Sequence, residues 1–285
     1  MIRFGVDTMI WTEAFSLKDL PLIEKAKTLG FSVLDINTSY PEKFPTQSVR
    51  KEVKRVGIDV VMTIGLPRDC NLIDSDPKVR KNGEEKLKAM IDVSNEIGAE
   101  VLGGVIYAAW GYISGRPRTE DEWKWSIASM QKVAAYAKSQ SNLVLAIEPV
   151  NRFETHFINI AEDAVKYCRE VGTGNIKVHL DTFHMIREET SFTKAVETCG
   201  KEYLGYVHTC ENNRGIPGTG LVPWKEFFKA LKKIGYEGPT AIESFDPGFE
   251  EINRLCAIWR KFADTGEELA VEGLKNLKKI ELSIR

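Results

Sequence analysis

Histidine and cysteine are scarce in this chain, and neither is clustered. The 285 residues include four histidines and five cysteines, Cys70, Cys168, Cys199, Cys210 and Cys256. The cysteines are odd in number and never spaced as C-x-x-C, which excludes a disulfide framework and a structural zinc cluster and suits a reducing compartment. An excess of one charge is also lacking. Lys and Arg total 39 against 41 Asp and Glu, a formal net charge of -2, so there is no basic footprint for nucleic acid and no acidic tail. No stretch approaches the roughly 18 apolar residues of a membrane span. The opening MIRFGVDTMIW is interrupted by Asp7 and leads to no small-residue cleavage site, so no secretory leader is expected and a cytoplasmic location is. No low-complexity or Pro/Gly/Ser-rich linker divides the chain, and its length suffices for a sizeable core. Residues 1–285 are therefore expected to form one domain.

What is present is a recurring phrase: an amphipathic stretch, an apolar residue, a glycine, then a short β-like run. It occurs at Leu29-Gly30, Val56-Gly57, Ile97-Gly98 and Ile234-Gly235. Glycine just past a helix end adopts the left-handed conformation that stops the helix at little cost. Strands are predicted at Arg3 to Ile10, Phe31 to Asn37, Ile58 to Ile64, Glu100 to Ile106, Leu143 to Glu148, Ile176 to Asp181, Leu204 to Thr209 and Pro239 to Ser244. Strand–helix alternation implies parallel strands with helical crossovers. Eight units in this length predict an α/β fold of (β/α)8 type, a TIM barrel, with an additional C-terminal helix at about Gly266 to Ile280. The competing open sheet would carry a Gly-rich phosphate loop after its first strand, and Thr8-Met9-Ile10-Trp11 is no such loop.

Four late strands each end in a metal-capable residue: Glu148, Asp181, His208 and Glu243, spaced by 33, 27 and 35 residues. Each follows an apolar residue that would face the helices, so alternation turns the ligand inward. Four inward ligands at neighbouring strand ends make a cage at the C-terminal mouth, where barrel enzymes keep their active sites. A lone acid at a strand end is usually a helix cap or an ion-pair partner; four consecutive strands repeating the feature point to a metal. Three carboxylates and one imidazole suit manganese first, with cobalt or magnesium as alternatives, whereas zinc prefers more His or Cys.

The surroundings of these residues resemble the D-tagatose 3-epimerase family, which includes the D-allulose (D-psicose) and L-ribulose 3-epimerases. The resemblance runs through Glu148-Pro149-Val150-Asn151-Arg152-Phe153-Glu154, Asp181-Thr182-Phe183-His184-Met185 and His208-Thr209-Cys210-Glu211-Asn212-Asn213-Arg214. It continues through Gly218-Thr219-Gly220 and Pro223-Trp224 to Ala241-Ile242-Glu243. It implies a xylose-isomerase-like barrel with one divalent metal on Glu148, Asp181, His208 and Glu243. It also implies that Glu148 and Glu243 are the catalytic pair, and that Glu154, His184, Arg214, Trp110 and Trp11 bind or line the substrate pocket. Homodimers or homotetramers are implied as well, and the apolar Leu255, Ile258 and Trp259 would serve either a subunit contact or packing on the barrel. Some members carry an aromatic where this chain has Asp7, which leaves the preferred ketose open.

The implied reaction is epimerisation of a free ketose at C3. The pairs D-fructose/D-allulose, D-tagatose/D-sorbose and L-ribulose/L-xylulose are the examples. A proton α to a ketone is weakly acidic, so its removal needs a positioned base and stabilisation of the enediolate. A free sugar is expected because no phosphate cradle is evident. An aldose–ketose or hydroxypyruvate isomerase is the main alternative; a multi-metal abasic-site nuclease would need more histidines, and a non-catalytic sugar-binding barrel would tolerate loss of a ligand. Several residues are set aside. His179 is read as a hydrogen-bonded core residue, His156 carries no constellation, and Cys210 is read as a pocket-lining or inert thiol. Gly215 to Gly220 is read as a plain turn. Tyr107, Trp110 and Tyr112 would stack on sugar, close the pocket or meet a partner subunit.

Overall fold

In a computed structural model describing residues 2–284, eight parallel strands close into a barrel in the order β1 to β8. The strands are β1 (Arg3–Asp7), β2 (Val33–Asn37), β3 (Asp59–Leu66), β4 (Val101–Ala109), β5 (Val144–Ile147), β6 (Ile176–Asp181), β7 (Leu204–His208) and β8 (Pro239–Ile242). The helices are α1 (Pro21–Thr28), α2 (Thr46–Val56), α3 (Pro77–Ile97), α4 (Glu120–Gln140), α5 (Ala161–Val171), α6 (Thr182–Glu188), α7 (Phe192–Tyr203), α8 (Trp224–Lys233), α9 (Glu250–Cys256) and α10 (Gly266–Ser283). β1 closes the ring on β8, with Gly5 opposite Ala241 and Val6 opposite Ile242. The predicted glycine stops hold: Gly57 and Gly98 end α2 and α3 at φ 68° and 79°, where a side chain would be strained.

Strand alternation sorts the side chains into two cores. Ile147, Leu180, Val207 and Ile242 face outward into the large layer between barrel and helices. Their neighbours Val33, Val61, Val101, Ala146, Tyr206 and Ala241 fill the barrel interior, a packed plug rather than a pore. The plug forms the floor on which polar residues at the strand ends stand.

Most strand ends shift by one to three residues from the prediction, and two of the shifts have local causes. β1 stops at Asp7, because its Oδ1 accepts the Met9 amide at 2.5 Å and turns Thr8–Ile10 into a 3₁₀ turn. Regular β5 stops at Ile147, although the Glu148 amide still donates to Gly104 O at 3.1 Å and keeps the ladder's direction. The segment after β8 folds back over the mouth. There Cys256 and Ile258 pack with Met9 and Phe245, while Leu255 and Trp259 are 43% and 73% exposed. Among the described residues no helix is long and apolar enough to cross a membrane.

Candidate active site at the barrel mouth

Glu148, Asp181, His208 and Glu243 are all buried at the C-terminal ends of β5 to β8. A single pocket is lined by Glu148, His208 and Glu243 together with Trp110, Glu154, His184 and Arg214. Donor atoms of Asp181, His208, Cys210 and Glu243 lie within 4.8 Å of one another; so do those of Glu148, His179 and His208, and those of Glu148, Asp181 and His184. Glu148 and Glu243 thus stand on two walls, each close to the shared imidazole or acid between them.

His208 is held from behind. Asp35 Oδ2 accepts from His208 Nε2 at 2.9 Å and from Tyr206 Oη at 2.6 Å, while Asp35 Oδ1 accepts from Thr63 Oγ1 at 3.0 Å. The other nitrogen, Nδ1, is buried without a hydrogen bond, 3.4 Å from Glu243 Oε2 and 4.0 Å from Asp181 Oδ2. A carboxylate behind an imidazole that faces acids is the arrangement that orients metal-binding histidines. This orphaned nitrogen, with three converging carboxylates, fits a hard divalent cation.

Arg214 enters the same cluster from the loop after β7. Its backbone sits at φ 62°, a conformation rare for residues other than glycine. Ser244 Oγ secures it by donating to Arg214 O at 2.6 Å. Its Nη1 donates to Asp181 Oδ2 at 2.8 Å and to Glu243 Oε2 in a short contact, and reaches Cys210 Sγ at 2.9 Å. Phe183 lies under the guanidinium, 3.9 Å from its ring centre.

These charges divide the two glutamates. Burial pushes the Glu148 carboxyl well above the ordinary range, with Glu243 and Asp181 adding to the rise against His208 and Arg214. Burial acts the same way on Glu243, but Arg214 and His208 overcome it and hold that carboxyl below its usual value. For His208, burial disfavours the charged ring, yet Glu243 and Asp35 prevail and raise it. Carboxylates driven apart in this way are a feature of acid–base sites.

A second network fixes the polar rim. Glu154 accepts from Trp110 Nε1 and Asn151 Nδ2, both at 2.8 Å. The Asn151 amide aims at His184 Nδ1 at 3.1 Å, and Asn151 Nδ2 lies 2.9 Å from the same nitrogen. Nδ1 is therefore the acceptor and Nε2 carries the proton, 3.6 Å from Glu148 Oε1 and 3.7 Å from Asp181 Oδ2. Burial lowers the His184 pKa and keeps the ring neutral.

Trp11 lies apart from this group, in a neighbouring surface cleft with Lys25 and Gly266. His179 is fully buried, as predicted. Its ring packs against those of Tyr206 and His208, centroids 4.6 and 4.2 Å away, and its Nδ1 lies 3.7 Å from Glu148 Oε2. Of the aromatic set, Tyr107 is a core residue whose hydroxyl donates to Glu148 O at 2.8 Å, Trp110 lines the pocket, and Tyr112 packs on His156. Asp35 and Asn151 were not singled out from the sequence. Asp35, between Leu34 and Ile36, carries the same inward-acid signal as the late strands; Asn151 offers no signal of its own. The Gly215–Gly220 turn wraps the buried Glu211, which accepts the Gly218 and Val222 amides at 2.9 and 3.1 Å and Trp224 Nε1 at 3.0 Å.

Residues 23–280 match the family described as the xylose isomerase-like TIM barrel. A ketose 3-epimerase from Arthrobacter globiformis is 33% identical, over 99% of this chain and 100% of its own length. The structure of an L-ribulose 3-epimerase superposes with a TM-score of 0.95 at 30% identity, covering 100% of this chain and 96% of that one. The D-psicose 3-epimerase from Clostridium cellulolyticum H10, crystallised with D-tagatose, superposes with a TM-score of 0.91 at 29% identity, covering 98% and 99%.

Proposed function

This chain belongs to the xylose isomerase-like TIM barrel family and is an epimerase of the isomerase class, and on that premise we propose that it interconverts free ketoses at C3 with one divalent metal, manganese first and cobalt or magnesium next. Glu148, Asp181, His208 and Glu243 would hold the cation. When bound, it would act as a Lewis acid toward charge developing on the substrate oxygens. The observation that carries the reading is the placement of the buried Glu148 and Glu243 on separate walls of one pocket, beside His208.

One glutamate removes the C3 proton, a planar cis-enediolate forms, and the other returns a proton to the opposite face; exchange of roles gives the reverse reaction. His184 donates through Nε2–H and Arg214 through its guanidinium to substrate oxygens, while Glu154, held by Trp110 and Asn151, accepts from a hydroxyl. Trp110 closes one side of the pocket. Trp11, in its separate cleft, has no part in the proposal. Substrates are of the D-fructose/D-allulose, D-tagatose/D-sorbose or L-ribulose/L-xylulose kind. We read residues 1–285 as one domain working in the cytoplasm, which the five free cysteines support, and as a homodimer or homotetramer, for which exposed Leu255 and Trp259 offer apolar surface.

The test is product analysis with D-fructose and D-tagatose, with manganese or with chelator. The C3 epimer should form only with metal, and Glu148→Gln or Glu243→Gln should lower kcat by about a hundredfold or more. An aldose product would point to the C1–C2 isomerase instead, and near-wild-type rates in either variant would refute the two-base scheme.

A further inference from the structure

We propose that Cys210 is a donor to the same cation, giving the centre a soft sulfur ligand beside its oxygens and imidazole. The inference rests on the metal reading above and adds a ligand that none of the four strand-end residues supplies. Cys210 lies two residues past His208, just beyond β7. Its backbone is clamped to the start of α6, where Thr182 Oγ1 donates to Cys210 O at 2.6 Å and accepts from Cys210 N at 2.8 Å. The residue is fully buried. Its Sγ, a carboxylate oxygen from each of Asp181 and Glu243, and a His208 nitrogen all lie within 4.8 Å of one another.

Two further observations bear on this point. Arg214 Nη1 touches Cys210 Sγ at 2.9 Å and Asp181 Oδ2 at 2.8 Å, and makes a short contact with Glu243 Oε2. The guanidinium is the cation these three donors share in the metal-free site, and an ion bound among them would displace it toward the pocket. Independently, the buried His208 Nδ1, which has no hydrogen bond, faces the same acids. Coordination would exchange the S–H bond for an S–metal bond, with the thiol proton passing to solvent and no change of oxidation state. A thiolate makes a site softer than one built from oxygen and imidazole alone, so cobalt, zinc or cadmium gains on manganese and magnesium.

The probe is Co2+ added to chelator-treated protein, followed by absorption, with Cys210→Ser and Cys256→Ser compared to wild type. Wild type and C256S should develop visible ligand-field bands together with an intense near-ultraviolet sulfur-to-cobalt charge-transfer band. C210S should keep the first and lose the second. Its Cd2+ affinity relative to Mn2+ should fall by no less than the roughly tenfold that even an outer-shell partner carries. Ligand-field bands without the charge-transfer band in wild type would overturn the Cys210 assignment and leave the metal centre standing. The same band persisting in C210S would also overturn it. No cobalt spectrum at all would overturn both readings. The wild-type spectrum alone can refute the assignment, and should C210S fold poorly, loss of the band in C256S would overturn it while retention in C256S supports it.

Discussion

Replacing Asp35 with alanine should weaken divalent-metal binding by about ten- to a hundredfold, and replacing it with asparagine should do far less. Asp35 accepts from Tyr206 Oη, His208 Nε2 and Thr63 Oγ1 at 2.6, 2.9 and 3.0 Å. Once the His208 ring sheds its second proton, Asp35 keeps the remaining one on Nε2, so Nδ1 offers its lone pair toward Asp181 and Glu243. Alanine removes that bias and lets the proton settle on Nδ1; ten- to a hundredfold corresponds to about 1.4–2.8 kcal/mol. It also strands three buried donors, each costing about 1–3 kcal/mol. Part of this is offset, because Asp35 is one of the charges that, after burial itself, push Asp7 well above its usual pKa. Asparagine can present its oxygen to Tyr206 and His208 and its amide to Thr63, which then donates to Asp7 Oδ2, 3.4 Å away. The assay is Mn2+ titration calorimetry on wild type, D35N and D35A, with thermal melts in chelator to separate folding from binding. If D35A binds Mn2+ as wild type does, or if D35N is as weak as D35A, the tautomer argument is wrong.

Glu122→Gln should destabilise the protein by about 1–2 kcal/mol near neutral pH, since the carboxylate caps α4 at Thr119 N (2.7 Å) and takes a bidentate pair from Arg116 at 2.9 and 3.0 Å. Burial pushes this carboxyl up, but Arg116 and the Thr119 amide prevail and hold it below its ordinary value. Its contribution is therefore full above the unfolded pKa of about 4.3 and is lost as pH falls through the lower folded value. Melts above and below that pH should show the gap between wild type and variant closing in acid, and a pH-independent gap would contradict it. Gly104→Ala should cost about 3 kcal/mol or more, because the residue sits at φ 103° and a Cβ would lie 2.2 Å from Ile64 O; an unchanged melting temperature would show that β3 and β4 yield there.

The barrel was legible because its signals repeat. Each helix stop at a glycine and each apolar run restates the period, and Glu148, Asp181, His208 and Glu243 restate the inward acid or imidazole at strand ends. What the sequence hid comes from single side chains bending the backbone or from contacts across the ring. Asp7 ends β1 early by accepting the Met9 amide, a local bond that looks the same as any strand residue in the sequence. Asp35 reaches His208 across 173 residues, and no spacing rule joins β2 to β7. Arg214 depends on a left-handed backbone at a position that is not glycine, where propensity argues the other way. The seat of the His179 ring against Tyr206 and His208 is likewise a contact between strands that only the filled barrel creates.

Arg214, bridging Asp181 and Glu243, carries a further consequence. A small zinc domain must capture its ion before it can fold, whereas this barrel brings an internal counter-ion that keeps its acids from driving one another apart. On the proposed metal reading, folding can then finish first and the ion can load afterwards, reversibly. Stripping the ion should silence the enzyme while leaving the scaffold intact and ready to be reloaded.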